Sequence, residues 1–132
     1  MGPTIKKGAC ASSYNHDSHD LIVMGNEEED IVMAANRVID LKGGIVTVLN
    51  EKMTGQIALE IAGLLSKKSV EETAKDFISL REAFTKQGYV HSNSIMNFCL
   101  MSLTCIPTLK LTDRGYFNTE TFELLPLYEE LQ

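Results

Sequence analysis

At 132 residues the chain has room for one domain, able to bury roughly two-thirds of its unfolded surface. Its 44% hydrophobic and 23% charged residues are the composition of a soluble globular protein. A net charge of −6, with lysines clustered only as the pairs Lys6-Lys7 and Lys67-Lys68, argues against a nucleic-acid partner.

The N-terminus has small and basic residues where a secretory signal would have an apolar core, so no leader is expected. The most apolar stretch, Ile95 to Ile106, is too short to span a bilayer and carries Asn97, Ser102 and Thr104. Cys10, Cys99 and Cys105 are odd in number and form no C-x-x-C, which fits reduced thiols and a cytoplasmic location. Cys99 and Cys105 lie among apolar neighbours and are expected to behave as small hydrophobes.

Leu21 to Met24 is apolar, partly β-branched and stopped by Gly25, which predicts a short buried strand. Asn26 is placed as an N-cap with Glu29 completing a capping box, and Glu27 to Asp30 are expected to form a solvated first turn. The helix should run to about Lys42, burying Ile31, Ala34, Ala35, Val38 and Leu41, with Gly43-Gly44 as a left-handed cap. Ile45 to Leu49 is a second buried strand. Strand, helix and strand with short joins predict a βαβ unit crossing onto a parallel pair.

Gln56 to Leu65 is ambiguous, because Ile57, Leu59 and Ile61 alternate while the Ala, Leu and Glu content favours helix. Ser69 and Glu72 make the S-x-x-E signature of a helix start. Val70, Ala74, Phe77, Arg81 and Phe84 trace a face of that helix, and Gly88 ends it. Ile95 to Ile106 has no clean period and is assigned to strand. Leu109 to Leu111 and Phe122 to Leu124 are late strands, with a turn at Asp113-Arg114-Gly115 after the first. The expected fold is a single α/β domain over 1–132, α+β being the variant: a layered mixed sheet with two main helices.

The catalytic templates fail one by one. The turn after the first strand is Gly25-Asn26-Glu27-Glu28-Glu29, whose carboxylates would repel a pyrophosphate. G-x-x-x-x-G-K-[ST], H-E-x-x-H, G-x-S-x-G and H-x-E … P-C-x-x-C are all missing. His16, Asp17, His19 and Asp20 are left as the one dense cluster of chemically capable side chains. Histidines three apart share one side of a turn but not of a strand, so a metal site with Asp20 stays open. The plainer reading is a polar turn built on Asp17 and Ser18. His91 stands alone in a surface loop, and Met96, Phe98, Leu100 and Met101 are expected in the core.

The segment Gly8 to Asp20, GACASSYNHDSHD, resembles the G-A-x-A-x-S-x-x-H-D-S-H-N stretch of bacterial adenine deaminases. The resemblance continues in order through Ile22 to Gly25, Asn36-Arg37, Gly43 to Val46, Ile61 to Ser66, Ile106 to Gly115 and Thr121 to Pro126. The chain departs from the family at Asp20, where asparagine is usual, and at Glu60, where proline is usual. That proline implies an extended Leu59 to Leu65.

What is resembled is the family's C-terminal domain. The resemblance implies an N-terminal amidohydrolase barrel as partner, carrying manganese or iron and deaminating adenine to hypoxanthine and ammonia. Such a barrel takes about 250 residues and does not fit here, so this chain alone is expected to be inactive, with no catalytic residue of its own. Met1-Gly-Pro-Thr starts abruptly, as though a domain preceded it. His16, Asp17, Ser18 and His19 are the residues expected near substrate or at the interface, and His16, His19 and Asp20 the candidates for metal. Gly8, Ala9, Ala11, Ser12 and Ser13 are expected to let a neighbouring domain approach closely. A homo-oligomer is expected, without membrane or nucleic acid. The alternatives are a free-standing metal-binding domain using His16 to Asp20, and an oligomerisation or regulatory module for a separate amidohydrolase subunit.

Overall fold

The computed structural model describes residues 5–16, 18–90 and 93–126. The expectations for Asp17 and His91 lie outside that set. Seven strands and three helices are described: β1 (Ala9–Ser12), β2 (Ile22–Gly25), α1 (Glu28–Asp40), β3 (Gly44–Val48), β4 (Met53–Ala58), α2 (Val70–Lys86), α3 (Ser94–Cys99), β5 (Leu109–Thr112), β6 (Gly115–Asn118) and β7 (Glu123–Leu125). They build a four-stranded sheet in the order β2-β1-β3-β4 and a three-stranded sheet β5-β6-β7.

The layered α/β class holds. The strand–helix–strand unit is present in split form, because β1 lies between β2 and β3 and pairs antiparallel with both. β2 and β3 therefore run in the same direction without touching, where the sequence suggested a hydrogen-bonded parallel pair. Hydrophobic period reports which face a strand buries and nothing about its neighbours.

Strand alternation sorts the core into two clusters. Ala9, Ala11, Val46 and Val48 face Ala34 and Val38 of α1. Cys10, Ile45 and Ile57 face the other way, onto Leu80 and Phe84 of α2 and Ile95, Phe98 and Cys99 of α3. The sheet is thus covered on both sides, which is why β1 and β3 lack polar alternation. Phe84 is fully buried and makes aromatic contacts with Tyr89 and Phe98, at centroid distances of 5.7 and 6.2 Å.

The small residues of β1 thus serve internal packing: Ala9, Ala11 and Ser12 have no exposed surface. Ala9 and Ala11 admit α1 against the sheet, Ser12 faces Cys99 of α3, and none of the three is available to a neighbouring domain.

Helix boundaries fall close to expectation, with differences at the ends. α1 has Glu27 rather than Asn26 as its N-cap, without a side-chain cap bond among the described residues. Asp30 is not solvated. It is 2% exposed, and its carboxylate accepts the backbone N–H groups of Asn50 (3.1 Å) and Glu51 (2.7 Å). Both of those residues have left-handed φ, so the carboxylate fixes the turn between β3 and β4. The left-handed exit from α1 begins at Lys42 and continues through Gly43, whose Cβ, if present, would lie 2.3 Å from the Cα of Gly63.

α2 starts with the expected capping box, Ser69 Oγ accepting from Glu72 N and Glu72 accepting from Ser69 N. Its buried face differs. Leu80, Ala83 and Phe84 are buried, whereas Val70 is 81% exposed and Phe77 also faces outward. Only the C-terminal half of the helix lies on the sheet, so its N-terminal apolar residues find no cover within the described residues.

The 59–65 segment is not a strand. β4 ends at Ala58, and a tight loop follows with Ala62 and Gly63 at positive φ, closed by a bridge between Ile61 and Leu65. The apolar 95–106 stretch begins as α3, because Ile95, Phe98 and Cys99 are buried at helical spacing. Met96 is half-exposed and Cys105 exposed, so neither belongs to the core. No described helix is long and apolar enough to cross a membrane.

Replacing Asp30 by Ala strands two turn N–H groups and should lower unfolding free energy by about 2–3 kcal/mol, with Asp30→Asn closer to wild type. Urea denaturation of both variants measures it. Glu60 gives a pH signature. Its carboxylate is held below the usual glutamate range by its own backbone N–H and that of Lys67. A lowered folded value means that its contribution is intact above the unfolded glutamate value and is lost as pH falls through the folded one. The urea midpoint of wild type should therefore converge on that of Glu60→Gln in acid and exceed it at neutral pH.

Candidate functional site

The site is the loop leaving β1. Asn15 is 1% exposed, and its Nδ2 donates to the carbonyls of Ser12 (2.8 Å) and Asp20, drawing the two ends of the loop together. His19 N donates to Asn15 O at 3.1 Å, closing a turn, and His19 adopts a left-handed φ of 58°. α3 holds the other side: His16 N donates to Cys99 O at 3.0 Å, and Ser102 Oγ donates to His16 O at 2.9 Å.

This turn brings the two histidines to one side, with ring centroids 6.3 Å apart. Tyr14 joins them, 5.5 Å from His16 in an edge-on arrangement and 6.5 Å from His19. His16 is half-buried, while Ser18, His19 and Asp20 are exposed. Among the described residues no three His, Cys, Asp or Glu side chains form a group able to hold a metal ion. His16, His19 and Asp20 do not form such a group among the described residues.

Beside the loop lies a cavity of about 500 Å³. Its walls include Asn15, Ser18 and Asp20 from the loop, Ser102 and Thr104 after α3, and Thr112 and Asp113 at the end of β5. Ser18 and Asp20 from the first motif segment and Thr112 and Asp113 from the Thr-Asp-Arg-Gly segment thus line one cavity.

The thiol nearest the loop is buried. Cys99 is fully buried, 4.0 Å from Ser12 Oγ, and burial pushes its pKa up to about 11, the Ser12 contact opposing the shift. Burial raises Cys10 further still. Both are neutral at physiological pH, as structural thiols are.

Sequence reasoning missed Asn15, Tyr14 and Ser102. Asn15 stands directly before the histidines, and a polar residue at the end of a strand buried on both faces is its one local signal. Ser102 has none, because its role comes from the position of α3.

The family model described as "Adenine deaminase C-terminal domain" matches residues 1–123. The chain belongs to the adenine deaminase C-terminal domain family. It is 40% identical to adenine deaminase of Clostridium botulinum over 126 residues, 96% of this chain and 21% of that protein. It is 40% identical to adenine deaminase 1 of Rhizobium johnstonii over 125 residues, 95% of this chain and 22% of the relative. Adenine deaminase of Clostridium perfringens is 36% identical over 129 residues, 98% of this chain and 23% of its own length. The chain thus spans about a fifth of the length of the curated relatives it matches.

Asn15→Ala removes the clamp between Ser12 and Asp20. It should cost about 1–2 kcal/mol of stability and speed amide hydrogen exchange selectively at His19 and its neighbours. Exchange followed by NMR would show it.

Proposed function

We propose that this domain is the non-catalytic C-terminal part of an adenine deaminase, an enzyme that converts adenine and water to hypoxanthine and ammonia. In this reading the reaction belongs to an N-terminal amidohydrolase barrel that binds manganese or iron. The domain packs on that barrel, contributes to homo-oligomer contacts in the cytoplasm, and presents the His16 to Asp20 loop at the mouth of the active site.

The observation that carries this reading is the meeting of two distant motif segments at one cavity, beside a loop pinned from β1 and α3. A loop held from within, with His19 and Ser18 exposed, is fixed for contact with a neighbour. Exposed apolar side chains support packing against a further domain: Val70 and Ile78 on α2, and Phe122 and Leu124 beside and on β7, are each more than half exposed. The architecture of the described residues supports a reading in which the chemistry lies elsewhere. Sheets of four and three strands are not an eight-stranded barrel, and nearly four-fifths of each relative lies outside the match.

Purified alone with manganese, the chain should release no hypoxanthine from adenine; robust turnover would overturn the reading. In a complete enzyme ending in this domain, His16→Ala or His19→Ala should lower kcat/KM by about tenfold to a hundredfold, with metal content unchanged. Unaltered kinetics would remove the loop from the active-site mouth.

A further inference from the structure

A second cavity, of about 450 Å³, lies where α2 ends and α3 begins, and none of its lining residues borders the cavity beside the histidine loop. Its charged lining residues are Lys6 and Arg81, with no carboxylate among the described ones, in a chain of net charge −6. Neither cation belongs to an ion pair among the described residues. Lys6 is held in place: its N–H donates to Gln87 O at 2.8 Å, and its stem lies across Gly88. A Cβ on that glycine would fall within 3.0 Å of Lys6 Cβ, Cγ and Cδ. Ser94, 5% exposed, lines the same cavity, and its hydroxyl has no hydrogen-bond partner among the described residues. Unlike Asn15 Oδ1 and Gln87 Oε1, that oxygen is not cut off from solvent, and the surface Ser94 keeps is on this cavity's wall.

A cation placed here would meet two like charges. Thr85 Oγ1 donates to Arg81 O at 3.0 Å, so the donors left for a ligand are the Lys6 ammonium, the Arg81 guanidinium and the Ser94 hydroxyl. A carboxylate has two oxygens and one charge for these three groups. A phosphate monoester has three terminal oxygens and close to two charges, so it can accept from all of them at once. The cavity has the size of a small-molecule pocket, larger than a phosphate group needs, and Val90, 77% exposed, offers apolar surface to the remainder. We infer that this cavity binds a small organic phosphate monoester, with Lys6, Arg81 and Ser94 Oγ donating to the phosphate oxygens.

The test is an NMR titration of the full chain with phenyl phosphate, benzoate, benzylammonium and inorganic phosphate. Phenyl phosphate should give saturable shifts centred on Lys6, Arg81, Gly88 and Ser94, with a Kd of about 1 mM or tighter. Benzoate should bind about tenfold more weakly, inorganic phosphate at least about threefold more weakly, and benzylammonium should not saturate. Lys6→Gln and Arg81→Gln, both at exposed positions, should each weaken phenyl phosphate at least about threefold. Ser94→Ala should weaken it about twofold to threefold with the rest of the spectrum unchanged, and Lys86→Gln, an exposed lysine of α2 outside the cavity, should leave it unaltered. Equal affinity for benzoate or for inorganic phosphate, saturable benzylammonium, or equal weakening by Lys86→Gln would each overturn the assignment. So would shifts centred elsewhere or no saturation by phenyl phosphate.

Discussion

Everything in this domain is built around the close packing of β1. Its four residues, Ala9 to Ser12, have no exposed surface, lying between β2 and β3 in the sheet and between helices above and below it. Side chains larger than alanine on its α1 face would push the helix off the sheet. The same tightness governs the approach to the strand. Gly8 has a φ of +77°, and a Cβ there would lie 2.4 Å from Val48 O and 2.7 Å from Gln87 Nε2. Gln87 in turn donates to the carbonyls of Ala9 and Val48, tying the end of α2 to the start of β1. A strand so confined cannot shift register, and whatever follows it inherits a fixed origin.

Two residues carry that origin outward. Ser13 donates to Gly63 O at 2.8 Å and accepts from Gly44 N at 2.8 Å, joining the loop after β4 and the start of β3 to the end of β1. Asn15 repeats the arrangement two residues later, for the histidine loop. Three stretches of the family resemblance, around Ser13, Gly43-Gly44 and Ala62-Gly63, thus converge on one serine, and a fourth leads into the site. Glu60 shows how a departure from the family pattern is accommodated. Where proline would stiffen the segment through its ring, the glutamate carboxylate accepts Lys67 N at 3.3 Å and closes the loop by a hydrogen bond.

How much of this was legible follows from what periodicity encodes. The capping box at Ser69, the core positions Ala34 and Val38 and the late strands came from local chemistry that the tertiary fold left in place. Strand order did not, because nothing in Gly8 to Ser13 announces that it is the middle of a sheet; small residues permit close approach without naming what approaches. The same limit applied to α2, where the alternative stripe through Leu80, Ala83 and Gln87 is only distinguishable once the sheet is in place. At the site, the histidine cluster and the Thr-Asp-Arg-Gly turn were visible as motifs. Their meeting across one cavity was not, since it depends on where β5 falls relative to β1.

The division of labour inside the loop then becomes intelligible. Asn15 is a buried polar residue with both N–H groups engaged and, among the described residues, no partner for its Oδ1, a cost set against its two bonds. An apolar residue there would fill the space without that cost, yet it would release Asp20 O and Ser12 O and let the histidines drift. Holding two imidazole rings near 6 Å on a short turn requires fixed backbone at both ends of the turn, and only a side chain with two donors reaches both. The burial of β1 supplies the fixed backbone to which Asn15 ties the loop. The core and the site are therefore linked: β1 is closely packed with small residues, and the polar loop at its end starts from a backbone fixed on both sides.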